Sequence, residues 1–224
     1  MNKQVIIIGG GGHAKVLLEI LIIKKIKVYG FTDLDENRKL SLGKVRLKYL
    51  GKDEVIKKFS PKKFDLVNGL GSVGIDTLRK RSQKFMEFKN LQFRFLNVIH
   101  PRAIISKDVK DAIALNEGVQ IMAGANIRPG SEIGDNTIVN TGASIDHDCH
   151  IGTHVHIAPG VVLSGGVEMG DSCHIGTGSL IRNGIKIGRE VFVPMGCSVT
   201  KNMEAGEVSV RFLNASGQQK ANGQ

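Results

Sequence analysis

The chain has 224 residues, 41% of them apolar and 23% charged, with a formal net charge of +10. That length allows one or two domains, and apolar content of this order fills a genuine core, which excludes a disordered chain. No apolar run reaches the roughly 18 residues of a membrane span, and the amino terminus lacks the basic start and cleavage site of a signal peptide, so a cytoplasmic protein with no membrane partner is expected.

The charge is unevenly placed. Residues 1–98 carry 21 Lys and Arg against 9 Asp and Glu, and the remainder carries 10 against 12. A basic half suits a phosphorylated small ligand as readily as a polymer. No aromatic residues are interleaved with the lysines as a base-stacking surface requires, so nucleic acid is not an expected partner.

Taken in order, residues 4–8 read as a buried strand, followed by Gly9, Gly10, Gly11, Gly12 and His13 and then the apolar-periodic AKVLLEILIIKK of a helix. Gly9, Gly11 and Ala14 satisfy the G-x-G-x-x-G/A spacing, and Asp33 ends the next strand, KVYGFTD, about 20 residues on, the layout of a nucleotide-binding βαβ unit. Glycines in such a turn let the backbone approach a phosphate, and the helix start offers unpaired N–H groups and a positive dipole end. The segment up to Val98 is too short for both halves of a dinucleotide fold, so a mononucleotide or nucleotide-sugar site is expected rather than NAD. A further strand, FDLVNGLGS, ends in Gly69, Gly71 and Ser72, which are candidates for a second pocket wall or for an ordinary strand-to-helix turn. TLRKRSQKFM reads as helix and FRFLNVIH as a last strand, which puts the boundary of a Rossmann-like α/β domain at residues 1–98.

From Ile121 to Val199 an aliphatic or Met side chain recurs at every sixth residue, and stepping back by sixes adds Leu115, Val109 and Ala103. The position four after each aliphatic is small or branched throughout. A six-residue period with two occupied inward positions is neither a helix nor an alternating strand and marks a parallel β-helix, with three short strands to a coil of 18 residues. Gly134, Gly152, Gly170, Gly176 and Gly188 each follow a core aliphatic, where tight corners are expected. This solenoid is assigned residues 99–203, leaving a polar tail at 204–224 that has nothing to bury and is expected to be poorly ordered.

Cys149, Cys173 and Cys197 fall at inward positions on three different faces, as core filler rather than a disulfide or metal set. His147, His150, His154 and His156 cluster in sequence but disperse over faces in this register, so they are not expected to form a metal site; His156 and His174, one coil apart, should stack on the same face and are the metal alternative. His147 followed by Asp148 is the candidate general base with its carboxylate partner, since an adjacent acid stabilises the imidazolium and strengthens the base.

With GGGGHAKV, FTD, VIHPRAIIS and above all VNTGASIDHDCHIG in place, the chain resembles the hexapeptide-repeat, left-handed β-helix sugar acyltransferases, and within them the bacterial nucleotide-amino-sugar N-acetyltransferases and the sialic acid O-acetyltransferases. The resemblance implies a homotrimer holding acetyl-CoA between neighbouring prisms. It implies that His147 is the base, supported by Asp148, with Asn140 positioning the substrate. Gly11, Gly12, His13 and Asp33 would form the nucleotide pocket, to which the turn at Gly71 is the candidate second wall, and His156, Gly165, Thr177 and Met195 would line the acetyl-CoA groove. No metal is implied. The expected reaction is N-acetylation of a UDP- or dTDP-linked 4-amino-4,6-dideoxy sugar for bacterial glycan synthesis, with sugar O-acetylation as the alternative. The usual G-x-P-A-K segment near the end of the solenoid is replaced by EVSVRFLNASG, which also keeps a non-catalytic, trimeric nucleotide-sugar-binding protein in view.

Overall fold

The computed structural model describes residues 3–209, so most of the polar tail lies outside the described residues. A three-stranded parallel sheet opens the fold, in the order Val28–Thr32, Gln4–Ile8, Phe64–Asn68. Ile6, Ile7 and Ile8 of the central strand are all buried, as expected where helices cover both faces of a parallel sheet. Helix α1 (Gly12–Ile23) buries Ala14, Leu17, Leu18 and Leu21 on one side of the sheet, against Met122 and Ile138 of the solenoid. Helix α2 (Ile75–Asn90) sets Phe85 and Phe88 with Ile6, Ile8 and Leu66 on the other. The expected last strand of this domain reduces to a single bridge, Phe95 to Leu66, because Val98–Ile99 already pairs with Gln120–Ile121 as the first rung of the solenoid.

The remainder is a left-handed parallel β-helix of two-residue strands in three sheets, two of six strands and one of four. Each strand turns its second residue inward, and these form one continuous core with the position-four residues, including all three cysteines. The three faces differ outward. The first, with Gln120, His156, His174 and Phe192, carries the cavity described below and packs on the α/β domain. The second shows Ile104, Asn126, Ser144, Val162, Leu180 and Ser198. The third is charged, with Glu132, His150, Glu168 and Lys186 stacked one coil apart.

Three expectations are corrected. Stepping back by sixes fails below Ile121: helix α3 (Lys107–Ile113) interrupts the first coil, Leu115 is 88% exposed, and the inward residues of that coil are Ile99 and Ile105. At the far end Ile187 bridges Met203 and Phe192 bridges Val208, so stacking continues past Val199 in a coil shortened by two residues. The glycines following core aliphatics do not make the corners. Corner residues with positive φ lie two positions further on, at Gly130, Gly142, Gly166 and, without glycine, at Asp148 and His154. Gly134, Gly152, Gly170 and Gly188 are instead required by close stacking, since a Cβ on Gly134 would stand 2.7 Å from the Gly152 backbone.

Candidate active site

A cavity of about 960 Å³ lies between the carboxyl ends of the sheet strands and the first solenoid face. One wall carries Gly11, Gly12, His13, Asp33 and Gly71, and the other Asn140, His156, His174, Thr177 and Met195. A neighbouring cavity of about 440 Å³ shares Gly9, Asp33 and Gly71 and adds Asp53, Lys80 and Gln83.

The glycine turn divides its labour. Gly9 has φ +83°, where a side chain is strained, and a Cβ on Gly10 would meet Phe31 and Arg38 at 2.7 Å. Gly10 N–H donates to Asp33 Oδ2 at 2.7 Å, so Asp33 holds the turn while lining the cavity. A Cβ on Gly11 or Gly12 would meet nothing within 4 Å, so the fold itself does not demand glycine there. Gly11 caps α1 without a side-chain bond, and the first turn has no acidic residue. Free N–H groups and a positive dipole end therefore face the cavity without internal competition, which is an anion cradle.

Behind the cradle, His13 Nε2 lies 2.7 Å from Gln120 Oε1, and burial together with the Arg81 guanidinium pushes its pKa down to about 4. Arg81 is wholly buried and donates to the carbonyls of Asn68, Leu70 and Asn136. No carboxylate pairs with it among the described residues, and burial lowers its pKa to about 9, still cationic at neutrality. On the opposite wall His156 and His174 meet edge to face with centroids 4.9 Å apart, as their spacing predicts. His156 Nε2 contacts Asn140 Nδ2 at 3.2 Å and His174 Nδ1 contacts Ser72 Oγ at 3.2 Å. Burial drives both imidazoles down, His174 to about 4, so this wall is neutral. Among the described residues no group of three or more His, Cys, Asp or Glu gathers as a metal set.

His147 stands elsewhere, at the corner between the second and third faces. Its Nδ1 meets Asp148 Oδ2 at 2.8 Å, and the hydrogen bond it donates to Asp148, followed by the charge of Asp146, raises its pKa. With Nδ1–H donating to the carboxylate, Nε2 carries the lone pair. The ring lies over Gly165, one coil on, where a Cβ would stand 2.6 Å from Nε2 and Cε1. The structure thus gathers Gly11, Gly12, His13, Asp33, Gly71, Asn140, His156, Thr177 and Met195 around one cavity and sets His147, Asp148 and Gly165 apart from it, at the opposite edge of the second face. Sequence reasoning missed Gln120 and Arg81. Gln120 was detectable only as the outward neighbour of Ile121, and Arg81 sits in a basic run that reads as solvated helix.

An α/β domain with an anion cradle, joined to a left-handed β-helix, is the build of a hexapeptide transferase. Residues 4–84 match the PglD N-terminal domain model, and residues 131–165 match the model of the bacterial transferase hexapeptide (six repeats). Among solved structures, the chain is 30% identical to the acetyltransferase domain of PglB from Neisseria gonorrhoeae FA1090, over 92% of this chain and 96% of that one, with a TM-score of 0.80. It is also 30% identical to PerB from Caulobacter crescentus, solved in complex with CoA and GDP-perosamine, over 99% of both chains with a TM-score of 0.82. WeeI from Acinetobacter baumannii AYE, at 19% identity and a TM-score of 0.69, shares the fold. No curated protein matches the chain by sequence. The chain belongs to the hexapeptide-repeat sugar acetyltransferases.

Proposed function

We propose that the protein transfers the acetyl group of acetyl-CoA to the amino group of a nucleotide-linked 4-amino-4,6-dideoxy sugar, in the cytoplasm, for bacterial glycan synthesis. The carrying observation is the placement of an anion cradle and a carboxylate-supported imidazole at the two edges of one solenoid face whose outward strand column is uncharged. That face exposes Ile104 (63%), Val162 (40%) and Leu180 (50%) among Asn126, Ser144 and Ser198. An apolar strip of this kind suits an interface with further copies of the chain, head to tail if a three-fold ring closes on it. A homotrimer closed on it would bring His147 of one copy toward the cavity of the next.

In this reading the α1 N-terminus takes the diphosphate, and Asn140 and His13 position the sugar. Exposed Thr177 and Met195 stand on successive coils at the cavity edge of the face, free to line a groove for an extended acyl carrier together with His156. Acetyl-CoA supplies an already activated thioester, so the scheme needs neither a covalent enzyme intermediate nor a metal. His147 Nε2 takes the proton from the attacking amine, Asp148 stabilises the resulting imidazolium, and backbone N–H groups bear the charge developing on the carbonyl oxygen. PerB is described with GDP-perosamine, so GDP joins UDP and dTDP as a nucleotide to test. Incubation with acetyl-CoA and UDP-, dTDP- and GDP-linked 4-amino sugars, following thiol release, should give turnover with at least one. His147→Ala should lower kcat by about 100-fold or more. No turnover with any of them, or full activity in His147→Ala, would sink the proposal.

A further inference from the structure

A buried chain of amides fixes a proton at the cavity wall. Gln120, fully buried on the first solenoid face, donates its Nε2–H to the Asn68 carbonyl at 2.8 Å. A carbonyl only accepts, and the same oxygen also receives Arg81 Nη1 at 2.8 Å. The amide of Gln120 therefore has one orientation, with Oε1 toward His13. Because Oε1 also only accepts, the proton of His13 must sit on Nε2, 2.7 Å away. His13 Nδ1 has no partner among the described residues and is left as a lone pair on a side chain that lines the cavity.

We propose that Gln120 is a positioning residue that holds His13 as the neutral Nε2–H tautomer, so that Nδ1, beside the anion cradle, accepts a hydrogen bond from a hydroxyl or N–H of the bound nucleotide sugar rather than pairing with its phosphates. The identity of the ligand rests on the acetyltransferase reading; the tautomer does not. A protonated histidine next to a phosphate cradle would serve a diphosphate, and the surroundings of His13 oppose that state. The titratable groups facing it are the Arg81 guanidinium from α2 and His156 from the solenoid, itself held neutral by burial. Asp33, across the same cavity, is engaged by Gly10 N–H. The diphosphate is thereby left to the uncapped N–H groups of α1, and His13 is free to select the sugar or ribose.

Long-range proton–nitrogen NMR on the full chain labelled with 15N-histidine tests this directly. Wild-type His13 should show a protonated-type Nε2 and a bare Nδ1, unchanged from about pH 8 to about pH 5.5. Gln120→Leu should give a mixture of both tautomers. Gln120→Glu, which keeps the size and adds a charge to hold an imidazolium, should take up a proton within that window. Inorganic pyrophosphate should leave Nδ1 unprotonated. With GDP-perosamine as the probe, Gln120→Glu should raise KM about tenfold at low pH and progressively less at high pH, with kcat within about twofold. A wild-type proton on Nδ1, an unchanged spectrum in Gln120→Leu and Gln120→Glu, or protonation on adding pyrophosphate would overturn the proposal, as would a pH-independent loss of kcat. Should Gln120→Leu fail to fold, Gln120→Glu alone decides. If nothing turns over, the acetyltransferase reading falls while the spectrum of the free protein still settles the tautomer.

Discussion

His147, the proposed base, is shaped by two neighbours of different kinds. Asp148 sits at φ +56°, a corner conformation that an Asp tolerates better than most residues, and from there its carboxylate reaches Nδ1. Gly165 contributes by being small, since the imidazole occupies the space a side chain would take. The raised pKa means that His147 is protonated, and useless as a base, over more of the acid range than a free histidine. Asp148→Asn removes the main cause of that rise. The acid limb of the kcat/KM profile should therefore move to lower pH, while the high-pH plateau falls about tenfold because the base is weaker. A pH–rate series on the two proteins checks this, and a limb that stays put or moves upward would contradict it. The pair was legible because its members are adjacent in sequence. Gly165, named through the resemblance for the acetyl-CoA groove, follows His147 by one 18-residue coil, whereas Gln120 was not legible because its role depends on residues of another domain.

At the scale of elements, the period predicted the solenoid because each inward residue is a local and repeated decision, and it failed where that decision is interrupted. Val109 kept the phase by coincidence inside α3, and is buried there for helical reasons. The glycine turn was legible as a motif, but only the structure separates glycines required by packing from those with open space around them. Gly10 belongs to the first kind, Gly11 and Gly12 to the second. Gly11 has φ −78° and ψ −168°, backbone that suits an Asp cap, and open space for its side chain. Gly11→Asp should therefore stabilise α1 by about 0.5 kcal/mol through a cap bond and the helix dipole. The same carboxylate would occupy the anion cradle, so KM for the nucleotide sugar should rise about tenfold or more. Thermal unfolding and steady-state kinetics on one preparation read the two effects, and stabilisation without loss of binding would show that the cradle is not used.

Across the whole molecule, the charge asymmetry acquires a location. The basic excess belongs to the α/β domain with its anion cradle, while the second solenoid face carries no charge at all in its outward column. A single chain leaves His147 on one edge of that face and the cavity on the other, and the assembly is what would join them. Two variants distinguish the arrangements when kcat/KM is read at nucleotide-sugar concentrations well below KM: His147→Ala lacks the base, and in Gly11→Asp the carboxylate blocks the cradle. If each site takes its base from one copy and its cradle from the next, coexpression must restore some sites, since an interface between an intact His147 and an intact Gly11 forms in mixed rings. After selection through both tags every three-fold ring holds both variants and has one qualifying interface in three, so the coexpressed material should regain about a third of wild-type kcat/KM per site. If base and cradle served the same reaction within one copy, every site would carry one of the two lesions and kcat/KM would not rise above that of Gly11→Asp alone. Purification through two different affinity tags, one on each variant, followed by the thiol-release assay, separates these outcomes. Leu180→Glu, which places a charge in the middle of the apolar strip, should abolish both the restored activity and the oligomer while leaving the thermal transition of the monomer cooperative.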